Sequence, residues 1–188
     1  MEKIKILAIV GSLRKDSMNR QLAMAAKALI GDGVDFEILE YSDLPHMNQD
    51  IEFPAPAAVK RIREAVKSAD GIWFFTPEYN HSFPGVLKNL IDWMSRRVSE
   101  TEGQVLSKKP VAISGITNGM SGTGIAQDHL VTLISLLNMK VMNFPRLTIP
   151  KAGEQMDDDG KLVLKESKPF LEKQSAAFIK FIQKGLEK

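Results

Sequence analysis

Apolar residues run through this chain in two rhythms, short unbroken blocks and amphipathic stretches, and the two alternate. Ile4–Val10 (IKILAIV) is nearly continuous and rich in β-branched residues, the pattern of a strand buried on both faces. After a polar loop, Leu22, Ala23, Ala26, Leu29 and Ile30 recur at helical spacing until Gly31 and Gly33 stop the pattern. Val34–Tyr41 (VDFEILEY) alternates apolar with polar, which predicts a second strand nearer a sheet edge. A proline-rich loop covers 42–56, a helix is predicted over Ala57–Ser68, and Gly71–Thr76 (GIWFFT) reads as another buried strand. Beyond the loop PEYNHSFPG come a helix from about Val86 to Arg97, a fourth strand over Pro110–Ile116, the loop TNGMSGTG and a helix ending near Leu137. Met139–Asn143 gives a short fifth strand and Lys168–Leu186 the last helix, while MDDDGKL, from Met156, reads as an Asp-Gly turn in a surface hairpin.

Strands alternating with helices through short connections build a parallel sheet covered on both faces. Five such units in one domain spanning 1–188 predict an α/β fold, a flavodoxin-like three-layer sandwich with a five-stranded parallel sheet in the order 2-1-3-4-5. Ligands of such sheets bind at the carboxyl ends of the strands, where the strand order reverses. Three loops therefore converge there: GSLRKDSMNR, PEYNHSFPG and GITNGMSGTG.

Composition narrows the partners. At 188 residues, 44% apolar and 26% charged, the chain suits a globular domain with one sizeable core. Its 25 basic and 23 acidic residues leave a net charge of +2, too small a field to recruit nucleic acid or a membrane surface. The absence of cysteine excludes disulfides, thiolate metal sites and cysteine nucleophiles, so redox chemistry has to come from a bound cofactor. The apolar run at the start is too short for a signal-peptide core or a membrane span, and a cytoplasmic location is expected.

The first loop is richer than a plain connection needs. It opens a helix, whose unpaired N–H groups and partial positive charge favour an anion. Ser12, Ser17 and Asn19 add hydroxyl and amide donors, and Arg14 and Arg20 add charged ones. The spacing fits neither G-x-x-x-x-G-K-[ST] nor G-x-G-x-x-G, so a single terminal phosphate suits it better than a pyrophosphate or a magnesium nucleotide. The plain alternative is that Ser17 or Asn19 only caps the helix. In the second loop Pro77 and Pro84 stiffen the backbone, whose fixed donors suit the edge of a flat heteroaromatic ring, with Tyr79 or Phe83 bounding it. The third has four glycines in ten residues and lets backbone N–H groups come close to a ligand. The histidines His46, His81 and His129 lack ligand spacing, so no metal site is expected. Only His81 lies in a crevice loop as a candidate for substrate contact. Glu78 could act as a general base, but such a residue more often serves through its backbone, and no side-chain catalyst stands out.

GSLRKDSMNRQLA after the first strand, TPEYNHSFPGVLKNLIDW after the third and the run ending NMKVMNFP together resemble the NADPH-dependent FMN reductase family, in its chromate- and quinone-reductase-like branch. The resemblance implies that the first loop binds the FMN phosphate through Ser12, Arg14, Ser17 and Asn19, to which the charge of Arg20 adds a further cofactor-binding candidate. It implies that Pro77, Glu78, Tyr79 and Asn80 border the isoalloxazine, largely through main-chain groups, and that Gly115, Thr117 and Gly119 close the pyrimidine side. The implied reaction is ping-pong: NADPH or NADH reduces FMN, and electrons then pass to small-molecule acceptors such as quinones, free flavins, azo compounds, chromate or ferric complexes. Family members form homodimers or homotetramers, and the helix bearing Leu87, Leu90, Ile91 and Met94 is the candidate contact. Two other readings compete, a flavodoxin-like FMN electron carrier without nicotinamide activity and a phosphate-binding regulatory module. Small carriers of the first type are commonly acidic, unlike this nearly neutral chain.

Overall fold

The structure, a computed structural model, describes residues 3–187. Its strands are β1 (Ile4–Val10), β2 (Val34–Ile38), β3 (Gly71–Phe75), β4 (Pro110–Ile116), β5 (Lys140–Val141) and β6 (Leu147–Ile149). Its helices are α1 (Met18–Ile30), α2 (Ala57–Ser68), α3 (Gly85–Met94), α4 (Gly124–Leu136) and α5 (Lys168–Leu186). All paired strands are parallel, in the order β2-β1-β3-β4-β5. The five-strand order expected from the alternation is therefore the one observed.

Side chains of each inner strand leave on alternate faces, and each face has its own apolar layer. Leu7 and Ile9 of β1 and Ile72 and Phe74 of β3 meet Val59, Ile62 and Val66 of α2, the stripe of α3, and Leu130 and Ile134 of α4. Ile6, Ala8, Val10, Trp73 and Phe75 meet Leu22, Ala23 and Ala26 of α1 and Leu171, Phe178 and Ile182 of α5. Gly71 is needed where α5 crosses β3, because a Cβ there would lie 2.5 Å from Ile182 Cδ1. Trp73 sits between Phe75 and Phe178, with ring centroids 5.1 and 5.5 Å away. Its indole N–H donates to Ser114 Oγ, which in turn donates to Gln174 Oε1.

Three expectations change. The second strand ends at Ile38 instead of Tyr41: Leu39 still donates to Ala8 O, but Tyr41 turns inward beneath the end of β1. The fifth position is divided, with β5 pairing Pro110 and Val111 and β6 pairing Ser114 to Ile116 on the same edge of β4. Pro145 falls between them and has no N–H for a ladder. Third, Leu87, Leu90, Ile91 and Met94, expected at a subunit contact, are all fully buried within the chain. They are the stripe by which α3 covers the sheet, so they are not free for a partner. The hairpin at Met156 has its expected form: Met156 bridges Leu162, and Gly160 has φ 74°.

Candidate functional site

Val10, Phe75 and Ser114 stand side by side at the strand ends, and the pairing continues one step beyond them through Gly11 N–H to Phe75 O and Thr76 N–H to Ser114 O. The chain segments here touch because glycines stand at the close approaches, Gly11 at the start of the first loop and Gly115 near the end of β4. A Cβ on Gly11 would lie 3.1 Å from Pro77 Cδ, and one on Gly115 would lie 2.1 Å from Thr123 Oγ1 and 2.4 Å from the Thr76 carbonyl oxygen.

In the first loop Ser17 caps α1. Its Oγ accepts the Arg20 N–H at 3.4 Å, leaving the hydroxyl proton to donate elsewhere. The backbone folds back on itself through Arg14 N–H to Ser12 Oγ and Ser17 N–H to Arg14 O. Ser17 is buried, Ser12 partly exposed, and Arg14 exposed with its guanidinium on the Asp16 carbonyl. Arg20 is paired with Glu40, beyond β2. Arg14, Arg20 and Ser12 help line a cavity of about 180 Å³ between this loop and residues 39–42. Asn19 is placed otherwise. It is 2% exposed, and its amide spans to β4, accepting the Ile116 N–H at 3.1 Å and donating to the Ile116 carbonyl at 2.9 Å.

In the second loop Tyr79 and Ser82 exchange both backbone bonds at 2.9 and 3.0 Å. The two residues between them, Asn80 and His81, have φ of 50° and 59°, the arrangement of a type I′ hairpin turn. Tyr79, Asn80 and His81 are exposed on it. Glu78 points inward instead, and its carboxylate accepts the Ala126 N–H at 3.0 Å in the first turn of α4, with His81 Nδ1 3.6 Å away. Burial pushes its pKa up. The N–H of Ala126, the Ser121 hydroxyl, the charge of His81 and the N–H of Ile125 together outweigh that and leave it below the usual carboxylate value. Glu78 is thus an ionised fastener between the second loop and α4, placed at the positive end of that helix.

In the third loop Thr117 is tied to the end of β6 and to the segment after it, donating to Ile149 O and accepting from Ala152 N–H. Gly119 closes onto Thr117 Oγ1 and has open space where a Cβ would stand, with no atom nearer than 3.9 Å. Pro77 packs against Gly11, so Ser12, Arg14, Ser17, Pro77, Tyr79, Asn80, Thr117 and Gly119 lie on three loops in contact at one end of the sheet, while Gly115, expected to open the third loop, lies near the end of β4 and pairs with Thr148 of β6. Sequence reasoning missed Tyr41, Thr76 and Thr123, which hold these loops from below. Only Tyr41 carried a signal, as the last apolar member of an alternating run.

A serine-capped helix start with a second hydroxyl and an arginine suits a phosphate, and a hydrogen-bonded, exposed hairpin suits the edge of a flat ring. Comparison with known proteins gives the family. The family model of NADPH-dependent FMN reductase matches residues 4–154, which include all three loops. The chain belongs to the NADPH-dependent FMN reductase family. A 2-hydroxy-1,4-benzoquinone reductase from a Burkholderia species is 37% identical over 169 residues, 90% of this chain and 91% of that protein. An NAD(P)H-dependent FMN reductase of Pseudomonas aeruginosa is 38% identical over 177 residues, 94% of each. Among solved structures, the flavoenzyme NAD(P)H:acceptor oxidoreductase FerB from Paracoccus denitrificans superposes with a TM-score of 0.86 at 32% identity, covering 97% of this chain and 98% of that one. As an FMN reductase the chain is an oxidoreductase that works with FMN and NAD(P)H.

Proposed function

We propose that the chain carries FMN across the ends of β1, β3 and β4 and reduces quinones with NAD(P)H. The observation that carries this reading is the contact of the three loops, the first leading into a serine-capped helix start and the second forming a hydrogen-bonded hairpin turn. Ser12, Arg14 and Ser17 hold the phosphate, by hydroxyl and guanidinium donors added to the N–H groups at the start of α1. Pro77, Glu78, Tyr79 and Asn80 border the ring through their main chain, and Gly115, Thr117 and Gly119 close its far edge. Glu78 acts through its bond to α4, which fixes the hairpin. Bound FMN supplies the hydride chemistry, while the protein supplies position and electrostatics. Nicotinamide and acceptor take turns at one open face, which makes the kinetics ping-pong and the acceptor range broad, with quinones first and free flavins, azo compounds, chromate or ferric complexes behind them. The name of the Burkholderia relative, a 2-hydroxy-1,4-benzoquinone reductase, supports quinones.

The test is to mix the yellow protein with NADPH without air and then add a quinone. Bleaching of the flavin band within seconds, and its return on adding quinone, is expected. A band that persists for minutes points instead to an electron carrier, and protein that stays colourless with added FMN removes the cofactor assignment.

A further inference from the structure

Asn19 belongs by sequence to the phosphate loop, yet its side chain is spent elsewhere. β3 ends at Phe75, opposite Ser114, while β4 runs on to Ile116. Beyond the end of β3 the peptide groups of β4 need new partners, since buried N–H and C=O groups are rarely left unpaired. Asn19 supplies them, accepting from the Ile116 N–H at 3.1 Å and donating to the Ile116 carbonyl at 2.9 Å across 97 residues of chain. Its amide stands in for a peptide group of a strand that is not there. The next residue, Thr117, starts the third loop and is itself tied to Ile149 and Ala152. Two residues earlier, Ser17 caps α1. One buried side chain therefore sets the distance between the cap of the first loop and the root of the third.

We propose that Asn19 is a positioning residue that does not touch the cofactor phosphate but fixes the gap between the loops that grip the two ends of FMN. This rests on the FMN reading above. The two roles leave different marks on two flavins that differ only by the phosphate. A phosphate ligand contributes to FMN binding and nothing to riboflavin, whereas a spacer between the loops serves both alike.

The experiment measures dissociation constants of FMN and riboflavin, by quenching of flavin fluorescence, for the full chain stripped of flavin and for Asn19→Ala, Asn19→Ser and Arg14→Ala. Expected for Asn19→Ala is a loss of about tenfold for both flavins, the equivalent of one hydrogen bond, with their ratio unchanged. Arg14→Ala is expected to weaken FMN alone. A selective loss of FMN in Asn19→Ala, or no loss of either flavin, overturns the proposal. Asn19→Ser, neutral and too short to span to Ile116, gives the same comparison if Asn19→Ala does not fold. Amide hydrogen exchange of the flavin-free protein supplies a readout independent of the cofactor. In the Asn19 variants exchange is expected to quicken at Ile116 and residues 117–119 before it does in β1 and β3, and unchanged exchange there also overturns the proposal. If the unmutated chain binds neither flavin, the FMN reading fails by itself, and the exchange measurement still decides the spacer.

Discussion

The hydroxyl of Tyr41 donates to the carbonyl of Val10, the last residue of β1, at 2.5 Å. Tyr41 is 4% exposed, and burial pushes its phenol well above the ordinary value of 10.0, so it stays protonated and keeps donating. It thereby supports the strand end from which the first loop departs.

Tyr41→Phe removes the donor and leaves a buried carbonyl without a partner. The expected loss is about 1–3 kcal/mol of stability, read by urea unfolding, with weaker FMN retention because Gly11 and Ser12 follow Val10. A second consequence concerns alkaline pH. The phenol ionises more readily in the unfolded chain, so its contribution is intact below about pH 10 and falls as pH rises above that value. Tyr41→Phe flattens that alkaline loss; an unchanged alkaline limb would count against Tyr41 as its source.

Glu78 has the opposite sign. Its folded pKa lies below the ordinary 4.5, because the N–H and hydroxyl donors around it, with His81, overcome the effect of burial. Its contribution is present above pH 4.5 and is lost as pH falls through the lower folded value. Glu78→Gln keeps an acceptor for Ala126 but not the charge. It is expected to lose about 1–3 kcal/mol near neutrality and to show a shallower acid limb in thermal unfolding as pH is lowered through the ordinary value of 4.5 and below it.

How far the sequence carries differs by element, and the reason is the range of the interaction. Ala57–Ser68, Pro110–Ile116 and Lys168–Leu186 were legible to the residue, since each is fixed by its own periodicity and neighbouring breakers. β6 was not, because three residues after a proline carry too little pattern, and their pairing with β4 is a tertiary event. The loops of the site were legible as motifs. What Asn19 and Glu78 bind was not, since their partners lie 97 and 48 residues away. The stripe Leu87, Leu90, Ile91 and Met94 shows a further limit: spacing reveals an apolar face and leaves open whether sheet or subunit covers it.

His81 sits at the second position of the hairpin turn with φ 59°, a conformation that glycine adopts without strain and histidine does not. An Asn-Gly pair is the favoured choice for this turn. His81→Gly is therefore expected to raise stability by about 0.5–1 kcal/mol. Steady-state kinetics of the same variant test for acceptor contact: a kcat/KM for quinone that falls while FMN content is unchanged assigns His81 to the substrate, and an unchanged value assigns it to the turn alone.

Gly115 tests whether the crevice depends on close approach of backbones. A Cβ there would lie 2.1 Å from Thr123 Oγ1, 2.8 Å from Thr123 Cβ and 2.4 Å from the Thr76 carbonyl oxygen. The first two contacts belong to a side chain, and the third belongs to the chain segment between β3 and the hairpin. Gly115→Ala must therefore push the second and third loops apart, an overpacking of about 1–3 kcal/mol or more, and the protein is expected to purify pale with weakened FMN binding. Thr123→Gly removes the side-chain obstacle and relieves a residue at φ 74°, so the double variant recovers part of the stability. It does not recover full flavin affinity, because the Thr76 carbonyl still blocks the methyl group. Full recovery in the double variant would mean that the Thr123 side chain alone makes Gly115 necessary, and that the backbones of the two loops can separate without loss to the site.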